Sequence, residues 1–342
     1  MNRIQSTVAV LLVLCLGFVS FPQIEVVNAQ NIIYIKADGT IEGTDQIQRN
    51  GNLYVLTSNI SGGIQIQISN IIFEGSGYTL QGDGEFHGPA DIIGMGLEII
   101  GCNNVSVRNL NISEFTRGIR LTNSFDCDLY YNTISDNSIG IEMGGMDRSY
   151  LLAYSNSNRV NGNIIRDNDA GLRLFYGTLN IISRNIFTGN GEAVSIWGPS
   201  GNTIAYNNIT YNNRGVYIEV SGINFIHHNN FIDNLNDWWD YGLTPWPFQL
   251  PFSVTSWDDG REGNYWSEYD GLDANGDGIG DTPHRLYENN TDNYPLINSV
   301  TFEIIPEFSS WTPLMIMLVA VVVVGVFFRQ RLSTQNQGKI DQ

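Results

Sequence analysis

The chain has 342 residues, and its 35 acidic and 17 basic side chains give it a formal net charge of -18. So acidic a surface argues against a nucleic-acid partner, because nucleic acids bind proteins largely through Lys and Arg. The 36 glycines, together with abundant Asn, indicate many turns and few long helices. We therefore expect a turn-rich protein that does not bind nucleic acid.

The N-terminus, residues 1–29, has the features of a signal peptide. Arg3 supplies a positive charge, residues 8–19 form a short apolar core, and residues 27–29 end in a small side chain suited to cleavage. This pattern predicts export of the chain from the cytoplasm.

Residues 30–68 are expected to form an N-terminal cap and the first strands, and residues 69–234 contain a repeat. Hexapeptides that begin and end with Asn start at 163, 185, 207 and 229, a step of 22 residues. The same register continues backward to Asn132 and Asn137 across an insertion of nine residues. Internal repeats of this length indicate a solenoid.

Within each repeat a small residue precedes two apolar residues that alternate with others, as in Gly118-Ile119-Arg120-Leu121. A second apolar column consists of Ile112, Ile134, Ile165, Phe187, Ile209 and Phe231. Alternation is typical of strands with one buried face, and one coil alone cannot bury that face. The sequence therefore predicts an all-β fold, a right-handed parallel β-helix with coils of about 22 residues and two stacked Asn ladders.

An acidic column also follows the repeat. Glu114, Asp136, Asp167 and Asp233 occupy equivalent turn positions, and stacked coils would place neighbouring carboxylates about 4.8 Å apart. One interpretation is a ligand-binding or catalytic carboxylate pair, and the other is a row of solvated turn residues. Arg120, Glu142 and Arg173 form a further column, which we expect to be an exposed ladder of ion pairs that contributes little stability.

Residues 235–300 are predicted to form an aromatic-rich C-terminal cap. Two interpretations of these aromatic residues remain open, a hydrophobic cover over the last coil or a platform on which sugar rings stack. The candidate ligand-binding tryptophans are Trp238, Trp239, Trp246, Trp257 and Trp266.

The cap contains the most specific local motif, an Asp/Gly loop at residues 273–281. Its spacing of oxygen ligands, with Gly278 at position 6, resembles the first part of a calcium-binding loop, whereas His284 stands where such loops place a bidentate Glu. We expect either a structural Ca²⁺ ion or a metal-free turn cluster. The candidate ligands are Asp273, Asn275, Asp277, Asp281 and the backbone carbonyl of Ile279.

Copper would require soft Met ligands or His. Met143 and Met146 open the nine-residue insertion, but Met143 belongs to an inward column. His227 and His228 are adjacent, and in a strand their rings would point to opposite faces. The ligand pattern of the sequence therefore does not support copper.

Two cysteines remain after the signal peptide, Cys102 and Cys127. An oxidising compartment would permit a disulfide between them. The sequence alone leaves the pairing open.

A second hydrophobic segment lies at 311–328, after a linker at 301–310. It carries no charge and has nearly the roughly 20 residues needed to cross a bilayer. Arg329 and Arg331 follow it, which predicts a cytoplasmic tail at 329–342. The repeat is therefore expected on the extracellular or periplasmic face, anchored to a membrane by one transmembrane helix.

Four short sequence segments after the repeat resemble those of a known protein family. The segments 257–260, 263–269, 277–283 and 292–296 resemble those of NosD-like periplasmic copper-binding proteins, a right-handed β-helix family with many archaeal surface members. The resemblance covers residues 32–296 and implies the fold and the extracellular location. It also implies, by the family's name, a possible copper role in delivery to nitrous oxide reductase. Pro306-Glu307-Phe308 resembles an archaeal sorting signal, at which a lipid would replace the C-terminal segment as anchor.

Three functional hypotheses follow from the sequence and the resemblance. The first is a non-enzymatic cell-surface protein that binds a glycan or acts as a scaffold. The second is a polysaccharide lyase or hydrolase, since fold alone does not decide function. The third is a metallochaperone. An enzyme is expected to show a groove in which carboxylates and Arg converge beside aromatic side chains.

Overall fold

The computed structural model describes residues 32–88, 91–147, 149, 151–198, 200–219, 221–240, 255–287 and 290–302. These residues form no helix, and their strands stack into long sheets whose neighbours are mostly parallel. An all-β fold of stacked parallel coils is confirmed. Among the described residues, no helix could cross a membrane. The predicted signal peptide at 1–29, the transmembrane segment at 311–328 and the tail at 329–342 lie outside the described residues.

Strands are numbered along the chain, and the first sheet contains eleven of them. They are β1 (Ile33–Ile35), β2 (Ile41–Glu42), β6 (Ile64–Ile66), β9 (Met95–Ile100), β12 (Arg117–Thr122), β15 (Ile139–Met146), β16 (Leu152–Ala153), β19 (Ala170–Phe175), β22 (Glu192–Trp197), β25 (Arg214–Glu219) and β28 (Asn236–Asp240). The second sheet contains β3 (Ile47–Asn50), β4 (Leu53–Leu56), β7 (Ile71–Glu74), β10 (Val105–Arg108), β13 (Asp128–Tyr130), β17 (Arg159–Asn161), β20 (Ile181–Ser183), β23 (Thr203–Ala205) and β26 (Phe225–His227).

The third sheet runs along the remaining side of the coils. It contains β5 (Ile60–Ser61), β8 (Thr79–Gln81), β11 (Asn111–Ser113), β14 (Thr133–Ser135), β18 (Ile164–Arg166), β21 (Ile186–Thr188), β24 (Asn208–Thr210), β27 (Asn230–Ile232) and β29 (Tyr265–Trp266). A separate antiparallel pair consists of β30 (His284–Tyr287) and β31 (Asn290–Asp292).

The inward columns predicted from the sequence form the core. Ile141 pairs with Leu172, Leu172 with Val194 and Val194 with Val216, so equivalent residues stack once per coil. All four side chains are fully buried. The predicted third-sheet column from Ile112 to Phe231 is in the same register. Burial of this continuous apolar column is the main stabilising contribution, since each coil is closed only by its neighbours.

Asparagine ladders line all three corners of the coil, where the sequence predicted two. In a typical rung, Asn185 donates from its backbone N and from Nδ2 to Asn207 Oδ1, at 2.9 and 3.0 Å, and Nδ2 also reaches the carbonyls of Val160 and Ser183. Each buried amide is thus satisfied by the coils above and below it. The first ladder is Asn132, Asn163, Asn185, Asn207, Asn229 and Asn264, the second Asn137, Asn168, Asn190, Asn212 and Asn234, and the third Asn158, Asn180, Asn202 and Asn224.

The stack extends further in both directions than the Asn repeat indicates. At the start, β1 already pairs in parallel with β6, and β4 with β7. After Asn234, where the sequence pattern stops, Asn264 takes the next rung of the first ladder and β29 pairs in parallel with β27. The sequence interpretation missed this partial coil because a longer insertion puts Asn264 35 residues after Asn229 instead of 22.

Cys102 and Cys127 are both buried free thiols. Burial raises the pKa of each thiol, for Cys127 to about 12. Both are therefore unreactive protonated side chains of the core in this arrangement.

Candidate functional site on the outer face of the first sheet

The outer face of the first sheet carries one polar residue per coil, in the register that alternates with the core. Gln65 pairs with Glu98, Glu98 with Arg120 and Arg120 with Glu142, and the column then continues through Arg173. Ser195 and Tyr217 follow on β22 and β25. Because alternate residues of these strands face the core, these side chains are all brought to one outer surface.

The half of this surface formed by β9, β12 and β15 is an ion-pair network. Arg117 Nε lies 2.5 Å from Glu142 Oε2, and Arg120 Nε lies 3.2 Å from the same oxygen in an ion pair without hydrogen-bond geometry. Glu98 accepts hydrogen bonds from Gln65 Nε2 at 2.7 Å and from Thr122 at 3.3 Å.

These charges are buried, although the sequence interpretation placed them on an exposed face. Arg120 is 2% exposed, Glu98 1% and Glu142 4%. The insertion predicted between the repeats accounts for this burial, since β16 folds back antiparallel on the end of β15 and the backbone carbonyl of Met146 accepts from Arg120. The prediction of an exposed ladder was wrong for Arg120 and Glu142, and loss of one partner of a buried ion pair is expected to destabilise the fold strongly.

The other half of the surface, formed by β19, β22 and β25, is more open and aromatic. Phe175 and Trp197 stack at 6.0 Å between centroids, and Tyr217 lies 6.0 Å from Trp197 on the next coil. The guanidinium of Arg173 lies 5.5 Å from the centre of the Trp197 ring. Arg173 Nε and Trp197 Nε1 are buried N–H donors that meet no acceptor among the described residues.

Two carboxylates flank this aromatic stack. Arg214 Nη1 donates to Glu192 Oε1 at 2.9 Å, and the Ser195 hydroxyl donates to the other oxygen of Glu192. The Tyr217 hydroxyl donates to Glu219 Oε2 at 3.2 Å. Burial, and to a lesser extent the charge of Glu192, raises the pKa of Glu219, and burial raises the pKa of Tyr217.

A groove of about 430 Å³ runs along the corner beside this half of the sheet. Its lining combines carboxylates that accept hydrogen bonds, a guanidinium that donates them and two amides that do both. The lining residues are Asp169, Gly191, Glu192, Asn213, Arg214, Leu235 and Asn236. Acidic, basic and aromatic side chains therefore share one surface with a groove. The sequence contained these residues but gave no period that distinguished them from ordinary outward positions.

The predicted acidic column lies at the same corner of the coil as the groove but does not line it. Glu114, Asp136, Asp167 and Asp233 are exposed, and each has a positive φ, between 52° and 64°. The three Asp residues directly precede an Asn of the second ladder, and Glu114 precedes Phe115, each at a left-handed turn that Asp tolerates better than most residues. None of them reaches the aromatic stack, so the structure favours the interpretation as solvated turn residues.

The predicted tryptophan platform is largely inside the protein. Trp257 and Trp266 are each 1% exposed, and Trp266 stacks on Phe231 at 4.4 Å. Their indole nitrogens donate to buried acceptors, and Trp238 packs against the core beside Trp257. The prediction that Trp257 and Trp266 contact a ligand is therefore wrong, because both side chains are buried where they close the last coil. The side chain of Trp239 and all of Trp246 lie outside the described residues.

The Asp/Gly loop at 273–281 folds on its own backbone. Asp273 accepts from the backbone N of Gly276, Asp277 and Gly278, and Asp281 accepts from Ala274. No group of three or more His, Cys, Asp or Glu side chains in the described part of the chain is placed to hold a metal ion. The calcium site, including Asn275 and the Ile279 carbonyl, therefore gains no support and stays a prediction.

The adjacent histidines do meet, contrary to the strand-based prediction. His228 has a φ of 56°, which breaks the alternation, so His227 Nδ1 and His228 Nδ1 lie 2.8 Å apart. His228 Nε2 lies 2.8 Å from Glu262 Oε2, and burial followed by the charge of His228 lowers the pKa of His227. The Nδ1 atoms face each other and Met143 is fully buried in the core. Met143 therefore does not join the two histidines, and a copper role rests on the family's name alone.

Comparison with known proteins connects this fold to one family. The model of the family described as "Periplasmic copper-binding protein (NosD)" matches residues 26–271, well over half of the chain. No curated protein matches the chain.

Two solved structures are similar in part. DFA-IIIase from Arthrobacter chlorophenolicus A6 in complex with GF2 is 11% identical, covering 59% of this chain and 51% of that chain, with a TM-score of 0.42. The periplasmic alginate epimerase AlgG is 14% identical over 62% and 58%, with a TM-score of 0.36. The chain spans about half to three fifths of these structures, and at this similarity neither bears on its activity. By the family match, the chain belongs to the NosD family.

Proposed function

We propose that the protein binds a glycan on the outer face of the first sheet, at the half formed by β19, β22 and β25. The observation that carries the proposal is the groove at the corner, lined by Glu192, Arg214, Asn213 and Asn236 and continuous with the strands that bear Trp197 and Tyr217. Planar carboxylate, amide and guanidinium groups suit the vicinal hydroxyls of a sugar, which both donate and accept.

Other parts of the protein offer less to a sugar. Trp257 and Trp266 of the cap are buried, and the acidic turn residues do not line the groove. The opposite half of the same sheet is closed by the ion-pair network and the carbonyl of Met146. Arg173 and Trp197, on the same half of the face, each carry a buried N–H donor that has no acceptor in the part of the chain that the structure describes. A buried donor without an acceptor costs free energy, which an acceptor from a ligand would offset.

The test uses the purified full chain on an array of oligosaccharides built from neutral hexoses and from uronic acids. Arg214→Ala removes the groove's cation, and Arg166→Ala is the matched control, since Arg166 also pairs with a carboxylate on the coil surface but lies on the third sheet. We expect Arg214→Ala to weaken binding of the best glycan on the order of 10-fold, about 1.4 kcal/mol. Equal affinity of the two variants, or no binding by the wild type, would contradict the proposal.

We also propose that this face is presented outside the cytoplasm. The family is described as periplasmic, and the predicted signal peptide at 1–29 and anchor at 311–328 have the same implication. Protease added to intact cells should digest the β-helix and spare a C-terminal tag on the 329–342 tail. Protection of the β-helix in intact cells would refute this orientation.

A further inference from the structure

Two carboxyl groups of the open half converge on one pair of central residues. Ser195 and Tyr217 lie side by side on neighbouring strands, in register. The Ser195 hydroxyl donates to Glu192, and the Tyr217 hydroxyl donates to Glu219. Glu192 begins β22 and Glu219 ends β25, yet both side chains are held toward the middle of the face by these two bonds.

The two carboxyl groups differ in electrostatic environment. Glu192 has a guanidinium partner, Arg214, at 2.9 Å, and accepts a hydrogen bond from the Ser195 hydroxyl. Glu219 has no Arg or Lys ion-pair partner among the described residues. Burial raises the pKa of Glu219, and the nearby charge of Glu192 raises it further. Carboxyl pairs whose environments separate their protonation states are the usual arrangement for one acid and one base.

We propose that Glu219 and Glu192 act as the general acid and the general base in hydrolysis of a glycosidic bond. This inference rests on the proposed glycan binding and adds a reaction to it. The geometry that supports it is two half-buried carboxyl groups bonded to the adjacent Ser195 and Tyr217, of which Glu192 is ion-paired and lines the groove and Glu219 is held by a phenol.

The reaction balances with water as the co-reactant. Glu219 transfers its proton to the glycosidic oxygen while the bond from that oxygen to the anomeric carbon breaks. A water molecule adds to the anomeric carbon and transfers a proton to Glu192. One water is consumed and two shorter saccharides leave, after which the proton passes from Glu192 to Glu219 through solvent. Tyr217, Ser195 and Arg214 are positioning residues, because they act through the two carboxyl groups.

Two other carboxylates of the sheet, Glu98 and Glu142, do not suit this role. Glu98 and Glu142 are 1% and 4% exposed, and Glu142 is occupied by Arg117 and Arg120. A buried, fully paired carboxylate reaches neither a glycosidic oxygen nor water.

The experiment incubates the full chain with the array glycan that it binds best and measures new reducing ends by mass spectrometry. Glu219→Gln and Glu192→Gln are compared with the wild type and with Glu114→Gln, an exposed turn residue, as the matched control. We expect both site variants to lose on the order of 100-fold or more of the rate while keeping their affinity and thermal midpoint. Glu114→Gln should match the wild type.

The pH profile provides a readout that a structural role would not change. The rate should fall as pH rises and Glu219, whose pKa is raised by burial, loses its proton. Tyr217→Phe removes a hydrogen bond that favours the charged form of Glu219, so the falling limb should move to higher pH.

Each outcome decides between the two proposals. Wild-type binding without new reducing ends would overturn the catalytic inference and leave glycan binding standing. Release that persists in both Gln variants would overturn the assignment of these residues. Failure of every array glycan to bind would overturn the proposed function, and the hydrolysis inference with it.

Discussion

The two halves of the outer face of the first sheet are alike in pattern and differ in cover. Both present one polar residue per coil at the same strand position, Glu98, Arg120 and Glu142 in one half and Arg173, Ser195 and Tyr217 in the other. Only the first half lies beneath the insertion whose Met146 carbonyl accepts from Arg120. The covered half is thereby enclosed. In the second half Ser195 and Tyr217 are also buried, but Arg173, Glu192 and Glu219 remain partly exposed and accessible to a ligand.

The charged side chains of the two halves also differ in their partners. In the covered half, carboxylates and guanidinium groups satisfy each other, which limits what they can offer to a ligand. In the open half, Glu219 is bonded to a phenol and Arg173 faces an indole ring. We therefore expect substitutions in the covered half to change stability and those in the open half to change binding.

The largest effect is expected for Glu142→Ala. It leaves Arg117 and Arg120 buried beside each other without their shared carboxylate, which costs about 3–5 kcal/mol for a broken buried pair. Chemical denaturation should show a lower midpoint. A midpoint within error of the wild type would show that the covered half is not an integral part of the fold.

The next effect is a pH dependence confined to the C-terminal coils. Burial raises the pKa of Asp292, which accepts from Asn264 and Trp266, to about 6. A raised carboxyl pKa stabilises the folded state below the unfolded pKa of about 4, and that contribution is lost as pH rises through about 6.

Hydrogen exchange should therefore show that the opening free energy of β29 falls by about 2–3 kcal/mol between pH 4 and pH 8, while that of β12 is steady. The Asp292→Asn variant should lose this dependence. A uniform pH effect on both strands would contradict the assignment to Asp292.

A smaller effect is expected for Arg173→Met, at the boundary of the two halves. Met keeps an apolar stem over Trp197 but removes the cation, at a cost of about 1 kcal/mol or less. Thermal unfolding should change little, whereas glycan affinity should fall. An unchanged glycan affinity would show that Arg173, like the residues of the covered half, does not contribute to binding.

The smallest stability effect is expected for Arg214→Ala. Its side chain is 37% exposed, and ion pairs at such positions contribute about 0–1 kcal/mol. The denaturation midpoint should therefore stay near that of the wild type. A loss comparable to that of Glu142→Ala would mean that the open half is structural as well.

The sequence predicted the fold in detail because the core repeats. Residues such as Leu172 and Val194 recur every 22 positions, and the buried Asn of each corner recurs with them. The same reasoning missed the third ladder and Asn264, since the latter follows a longer insertion.

The candidate site was harder to predict because its residues come from three coils and do not repeat. Glu192, Tyr217 and Glu219 share no period, and their proximity depends on register and rotamer. The sequence instead favoured the abundant tryptophans as ligand contacts, although Trp257 and Trp266 are core residues of the cap. Which side chains are buried depends on the folded structure, so the sequence pattern alone did not distinguish core tryptophans from residues of the site.

The most direct test of the central claim is hydrogen exchange of the full chain with and without its best array glycan. We expect slower exchange in β22 and β25 and along the corner at Asn213 and Asn236, with no change in β9, β12 and β15. Protection centred on the acidic turns at Glu114 and Asp136, or on the Trp257 cap, would contradict glycan binding at this face.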